Sequence, residues 1–166
     1  MKQRIFILLI LFIAAFGSPS ASALTLLQEN LIDVPNRFAV SIADFAADGE
    51  FTPQSVRNLV EKQLVTAGFK LVSEESAPPL ATVQVTIVRR DDPAEGKVYM
   101  LDLNVFNVSV INTVYRLRKG TVWMVGSEKV IAGNDFPKNV EGRLSQMVRY
   151  LVQDYFTANP NQSGKQ

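Results

Sequence analysis

Ala81-Thr82-Val83-Gln84-Val85-Thr86-Ile87 is the stretch on which the fold turns. Val83, Val85 and Ile87 alternate with Thr82, Gln84 and Thr86. Successive side chains of a strand point to opposite faces, so this stretch has one apolar and one polar side. It predicts a half-buried strand, in a sheet packed on one face and wetter on the other. The flanking segments must then supply the partner strands and the cover.

Upstream, Arg37–Phe45 reads as a strand with Phe38, Val40 and Ile42 on one face, and Asp48-Gly49 punctuates the turn after it. Thr52 is placed to cap a helix, with Pro53 at its first position, where a missing N–H costs nothing. Val56, Leu59, Val60, Leu64 and Ala67 line one side of that helix, and Gly68 stops it. Phe69–Val72 is a short strand leading into the polar, proline-rich Glu74–Pro79 loop. Leu24–Pro35 is a lead-in with some apolar character.

Downstream, Asp91–Gly96 turns the chain into a long strand, Lys97–Ile111. Its apolar phase switches from Leu101, Leu103 and Val105 to Phe106, Val108 and Val110, which predicts a β-bulge, a sharp twist, or a strand with different neighbours along its length. Asn112-Thr113 is a hairpin turn, and Val114–Arg118 and Thr121–Ala132 complete the sheet, with bends at Lys119-Gly120 and Gly126-Ser127. Val140, Leu144, Met147, Val148, Leu151, Val152 and Tyr155 recur at helical spacing, and Asn159-Pro160 ends this last helix. The order β-α-β-β-β-β-α predicts an α+β fold. We expect a two-layer sandwich, an antiparallel-rich sheet of about four to five strands with two helices on one face.

Three segments follow: a signal peptide over 1–23, a single α+β domain over 24–158, and a disordered tail over 159–166. Lys2 and Arg4 form a positive n-region, Ile5–Phe16 an unbroken apolar run, and Ala21-Ser22-Ala23 a small-x-small cleavage site. The run is too short to span a bilayer, which takes roughly 18 or more apolar residues. Cleavage near Ala23-Leu24 leaves a periplasmic or secreted domain with no transmembrane segment. It also removes Lys2 and Arg4, taking the formal charge from +1 to −1. A near-neutral domain has no global field to hold it on nucleic acid.

The chain of 166 residues has no Cys and no His. That excludes disulfides, thiolate nucleophiles, Ser-His-Asp and Cys-His catalysis, and Cys- or His-ligated zinc. The GxSxG elbow, the SxxK pair, the P-loop and GxGxxG are missing too, so no enzyme activity and no cofactor are expected. The acids Asp44, Asp48, Asp91, Asp92 and Asp135 sit at strand ends and turns, where carboxylates make local hydrogen bonds. Asp102 and Asn104 share the water-facing side of a strand. Neither Asp91-Asp92 with Glu95 nor Gly133-Asn134-Asp135 matches a calcium loop, so no metal site is expected.

Arg37–Ser73 carries a family likeness. Phe38-Ala39-Val40, Asp44-Phe45 and a helix ending Leu64-Val65-Thr66-Ala67-Gly68-Phe69-Lys70-Leu71-Val72 resemble the opening βαβ of bacterial envelope accessory proteins. These include curli-secretion CsgG-type domains and the lipoprotein activators of penicillin-binding proteins. The element order is similar to that of the lipopolysaccharide-assembly accessory LptE. The resemblance implies an envelope accessory role on an α+β domain. This chain departs from those lipoproteins in having no lipobox Cys, and none of their functional residues carries over. Val152–Pro160 resembles the ends of small exported bacterial proteins of unknown function.

Two surfaces emerge as candidate sites. With helices on one face only, Val98, Met100, Phe106 and Val108 oppose the Leu101 and Leu103 side, and apolar residues occupy both sides of Val122–Val125. Met100, Phe106 and Trp123 are therefore candidate interface residues for a protein partner or a second copy of the chain. Alternatively, sheet curvature or the N-terminal segment covers them. Arg89, Arg90, Arg116 and Arg118 fall at strand ends, where a hairpin could gather them into a weak site for an anionic envelope ligand. The plainer reading is edge charge that blocks aggregation.

Overall fold

The computed structural model describes residues 24–45, 52–73, 81–111, 116–131 and 135–162. The signal-peptide pattern, the Asp48-Gly49, Glu74–Pro79 and Asn112-Thr113 turns, and Gly133-Asn134 lie outside the described residues. The elements run α1 (Leu26–Glu29), β1 (Arg37–Phe45), α2 (Pro53–Thr66), β2 (Lys70–Leu71), β3 (Ala81–Asp92), β4 (Gly96–Ile111), β5 (Arg116–Ile131) and α3 (Phe136–Ala158), then a 3-10 turn, Pro160–Gln162. The five strands form one mixed sheet in the order β2-β1-β3-β4-β5. β1 pairs in parallel with β2 and β3, whereas β3, β4 and β5 pair antiparallel. The fold is the expected α+β sandwich.

Local chemistry explains the helices. Thr52 and Ser55 form a reciprocal capping box in front of Pro53. At the other end Gly68 takes φ +91, and the Gly68 and Phe69 amides donate to the Val65 and Leu64 carbonyls (2.9 and 3.0 Å). This is the left-handed glycine stop, which a Cβ would strain. The two helices then bury their apolar stripes on the same face. Val56, Val60 and Leu64 of α2, with Val140, Leu144, Met147 and Leu151 of α3, join Val83, Val85 and Ile87 of β3 and Leu101, Leu103 and Val105 of β4 in one core.

One register shift between β4 and β5 falls at Val105/Phe106, where the phase change was expected, and another falls at the expected Gly126-Ser127 bend. β5 is one strand from Arg116 to Ile131, and the extra residue of each shift lies in it. The β3–β4 register is unbroken from Thr82↔Phe106 to Asp92↔Gly96. Against β5 it shifts between Leu101 and Leu103, opposite Glu128 and Val125, and again between Val105 and Phe106, opposite Trp123 and Thr121. Each shift places one extra residue in β5, so each resets which side chains face the helices. β1 carries a similar irregularity at Asp44, whose φ of 46 lies in the left-handed region.

At the start of the expected tail, residues 159–162, the structure differs from the sequence reading. Disorder was expected from residue 159, but Asn159 is buried and stitches the chain ends together. Its Nδ2 donates to the Leu31 and Tyr155 carbonyls (2.9 and 3.0 Å), and its Oδ1 accepts from the Asp33 amide (3.2 Å). Beside it the Tyr155 hydroxyl donates to the Val34 carbonyl at 2.8 Å and lies 2.8 Å from Gln162 Oε1. Full burial pushes the Tyr155 phenol up to about 12, tempered by the Gln162 contact. The lead-in at Leu31 and Val34 is therefore part of the core.

Candidate functional site

The open face of the sheet is set by the register. Thr82, Gln84, Thr86, Val88 and Arg90 of β3 alternate with the core residues, as do Val98, Met100, Asp102, Asn104 and Phe106 of β4. The centre of this face is polar, formed by Gln84, Thr86, Asp102 and Asn104. Met100 and Phe106 therefore do not belong to one apolar strip; two polar β3–β4 pairs, Thr86 with Asp102 and Gln84 with Asn104, separate them.

Phe106 is half-buried between Thr82 and Thr121. Met100 is half-buried beside Val88 and Lys129, and one step along the ladder Val98 pairs with Ile131. Val88 and Ile131 expose 38% and 48% of their surfaces, so this end of the open face is apolar and accessible.

Trp123 does not face the open side of the sheet, where it was expected as an interface candidate. It pairs with Val105 on the core side and is 2% exposed, while its neighbour Met124 is 52% exposed. Its indole Nε1 donates to Asp154 Oδ2 (2.9 Å), and Gln28 Nε2 donates to Asp154 Oδ1 (2.8 Å). One carboxylate thus ties β5, α3 and α1 together. The indole carries an N–H that needs a buried acceptor, and Asp154, one face of the final helix away from its apolar stripe, was the signal that could have found it.

The arginines are split. Arg89 pairs with Tyr99 and Arg90 with Val98, at one end of β4, whereas Arg118 pairs with Ser109 and Arg116 with Ile111, at the other. At roughly 3.3 Å per strand residue the two pairs stand about 33–43 Å apart along β4. Only the backbone positions of Arg116 and Arg118 are described, and these suffice to separate them from Arg89 and Arg90. The expected anion-binding cluster does not form, because the β4–β5 hairpin folds Arg116 and Arg118 back on the far end of β4. Arg89 itself contacts Asp91 at 3.1 Å.

The acids near the β3–β4 turn are taken up locally. Asp92 Oδ1 accepts from the Ala94 and Glu95 amides (2.8 and 3.0 Å), and these bonds hold its carboxyl below the usual range. Glu95 pairs with Lys129, raising the Lys129 ammonium above its ordinary value. Asp102 lies over Gly126, where a Cβ would overlap its carboxylate. A residue with a side chain could not pass there without moving Asp102.

Sequence reasoning missed the edge of β5. It is the last strand of the sheet, and among the described residues no strand pairs with its outer side. Between that edge and α3 runs an open groove of about 550 Å³, lined by Lys129, Val130 and Ile131 and by Lys138, Asn139, Gly142, Arg143 and Gln146. A second groove of about 680 Å³ lies between α2 and α3, floored by Leu59, Val148 and Val152 and bridged by a Gln63–Ser145 hydrogen bond of 2.6 Å. No helix among the described residues is long and apolar enough to cross a membrane.

No family model and no curated protein matches this sequence. Among solved structures, the chain is similar to an uncharacterized protein, with TM-score 0.38 and 14% identity over 74% of this chain and 94% of that one. It is also similar to a minor lipoprotein from Acinetobacter baumannii, with TM-score 0.32 and 12% identity over 77% of this chain and 94% of that one. At these scores the likenesses carry no argument about function.

Proposed function

We propose that this protein is an exported, non-enzymatic accessory of the bacterial envelope that acts by binding a protein partner or a second copy of itself. Export rests on the n-region, apolar run and Ala21-Ser22-Ala23 site. The observation that carries the binding role is the end of β5. There an edge without a strand partner among the described residues meets an apolar corner of exposed Val88 and Ile131 around half-buried Met100. An open edge is a template for pairing, and soluble domains that keep one beside apolar surface commonly use it.

A photo-crosslinking side chain at Ile131, compared with one at Val65 on the far side of α2, tests the reading in a periplasmic extract. Val65 is also exposed, so it controls for accessibility. Defined adducts, hetero- or homomeric, are expected from Ile131 and not from Val65. Equal labelling from both positions, with a monomer by light scattering, would sink the proposal.

A further inference from the structure

We infer that the β5 edge takes up an acidic, extended segment of a partner protein as a sixth strand, seated in the groove against α3. The inference rests on the protein-binding reading above and specifies its partner. Three features of the groove support it.

The first is backbone. An edge strand turns every second pair of N–H and C=O groups away from its neighbour, and those groups bond an incoming strand about 4.8 Å away. Lys129–Ile131 offers such an edge, with its inner side already paired to Met100–Val98. The groove leaves space beside it, since α3 forms its opposite wall.

The second is charge. The lining holds Lys129, Lys138 and Arg143, and the carboxylates beside it are Glu95, on Lys129, and Glu128, next to Arg143. Lys138 is exposed and has no ion-pair partner among the described residues. Arg143 meets Glu128 in one contact of 3.6 Å, which leaves most of the guanidinium donors to a ligand. Lys129 is held on the open-face side by Glu95, so Lys138 and Arg143 are the recognising cations.

The third is alternation. In a sixth strand every second side chain would turn toward α3, against Lys138, Asn139, Arg143 and Gln146. The intervening ones would turn to the open face beside Ile131. The partner segment therefore alternates acidic with apolar residues. A second copy of this chain is the poorer occupant. Symmetric pairing of two β5 edges about this segment would bring both sets of Lys138 and Arg143 to the same seam, where like charges repel.

The probe is a fluorescent synthetic peptide of alternating glutamate and valine, with its lysine–valine counterpart as control. At low salt the full mature chain should bind the glutamate peptide and not the lysine one, and affinity should fall as salt rises. Amide exchange at Lys129–Ile131 should slow on binding, which attraction by charge alone would not cause. Lys138→Glu with Arg143→Glu should weaken the glutamate peptide by about tenfold or more and confer binding of the lysine peptide. Both residues are exposed, so circular dichroism of the variant should match the parent.

No binding of the glutamate peptide overturns the inference. So does binding that leaves β5 exchange unchanged, or an affinity that ignores the charge reversal. If any of these occurs while Ile131 still crosslinks a partner, the sixth-strand assignment falls and the protein-binding reading stands. If crosslinking at Ile131 is also lost, both fall.

Discussion

Asp154→Ala should destabilise the protein out of proportion to its place on the surface side of a helix. The carboxylate is half-buried and accepts two hydrogen bonds from distant parts of the chain, Trp123 Nε1 at 2.9 Å and Gln28 Nε2 at 2.8 Å. Trp123 is 2% exposed, so its indole N–H loses its acceptor in a largely buried setting. Leaving a buried donor unsatisfied costs about 1–3 kcal/mol, and the half-exposed Gln28 bond adds about 0.5–1.5 kcal/mol. A total near 3 kcal/mol would lower the melting temperature by about 10 °C in a domain of this size.

The cause can be isolated with a double-mutant cycle. Trp123→Phe keeps a ring in the core and removes the N–H, so Asp154→Ala in that background should cost only the Gln28 share, about 1 kcal/mol. The coupling energy should be about 1–2 kcal/mol. Urea unfolding followed by circular dichroism measures all four forms. In the parent the chain's single tryptophan gives an independent fluorescence readout. A coupling energy within about 0.5 kcal/mol of zero would refute the claim that Asp154 holds Trp123 in place.

Gly126→Ala should cost about 1–3 kcal/mol, because the new Cβ overlaps the Asp102 carboxylate, and Asp102→Ala in the same chain should recover most of the loss in urea midpoint. Stability should hold level from neutral pH up to the ordinary phenol value near 10 and fall as pH rises from there toward 12. Over that window the unfolded chain loses the Tyr155 proton while the folded one keeps it. Tyr155→Phe should flatten that alkaline limb, as read from unfolding midpoints against pH; an unchanged limb would place its origin elsewhere.

The features legible in the sequence are those set by neighbours a few residues apart. Thr52, Pro53 and Gly68 bound α2 because caps and stops act within one helical turn. The alternation of Ala81–Ile87 and the helical spacing of Val140–Tyr155 identify β3 and α3 because burial on one face imprints a period. Those elements and their order were enough for the α+β class.

The site was less legible, since it depends on register. Trp123 and Met124 alternate, and both are apolar, so the sequence leaves open which of them meets the helices. The two extra residues in β5 and the match of Trp123 to Val105 decide it. Likewise Arg89 and Arg118 read as neighbours until the hairpin is closed and Arg118 falls opposite Ser109. The buried Asn159 looked like the start of a free tail because its partners, Leu31 and Asp33, lie at the other end of the chain.

What the sequence determined by itself was therefore the inventory and its limits. It contains an export pattern, two amphipathic helices, a set of strands, and no Cys or His with which to build the commoner catalytic centres. The tertiary structure decided which side of each strand is wet, where the charges gather, and which strand is left at the edge. Those are properties of pairing between distant segments. A one-residue slip in pairing reverses every side chain, so no local pattern could have settled them.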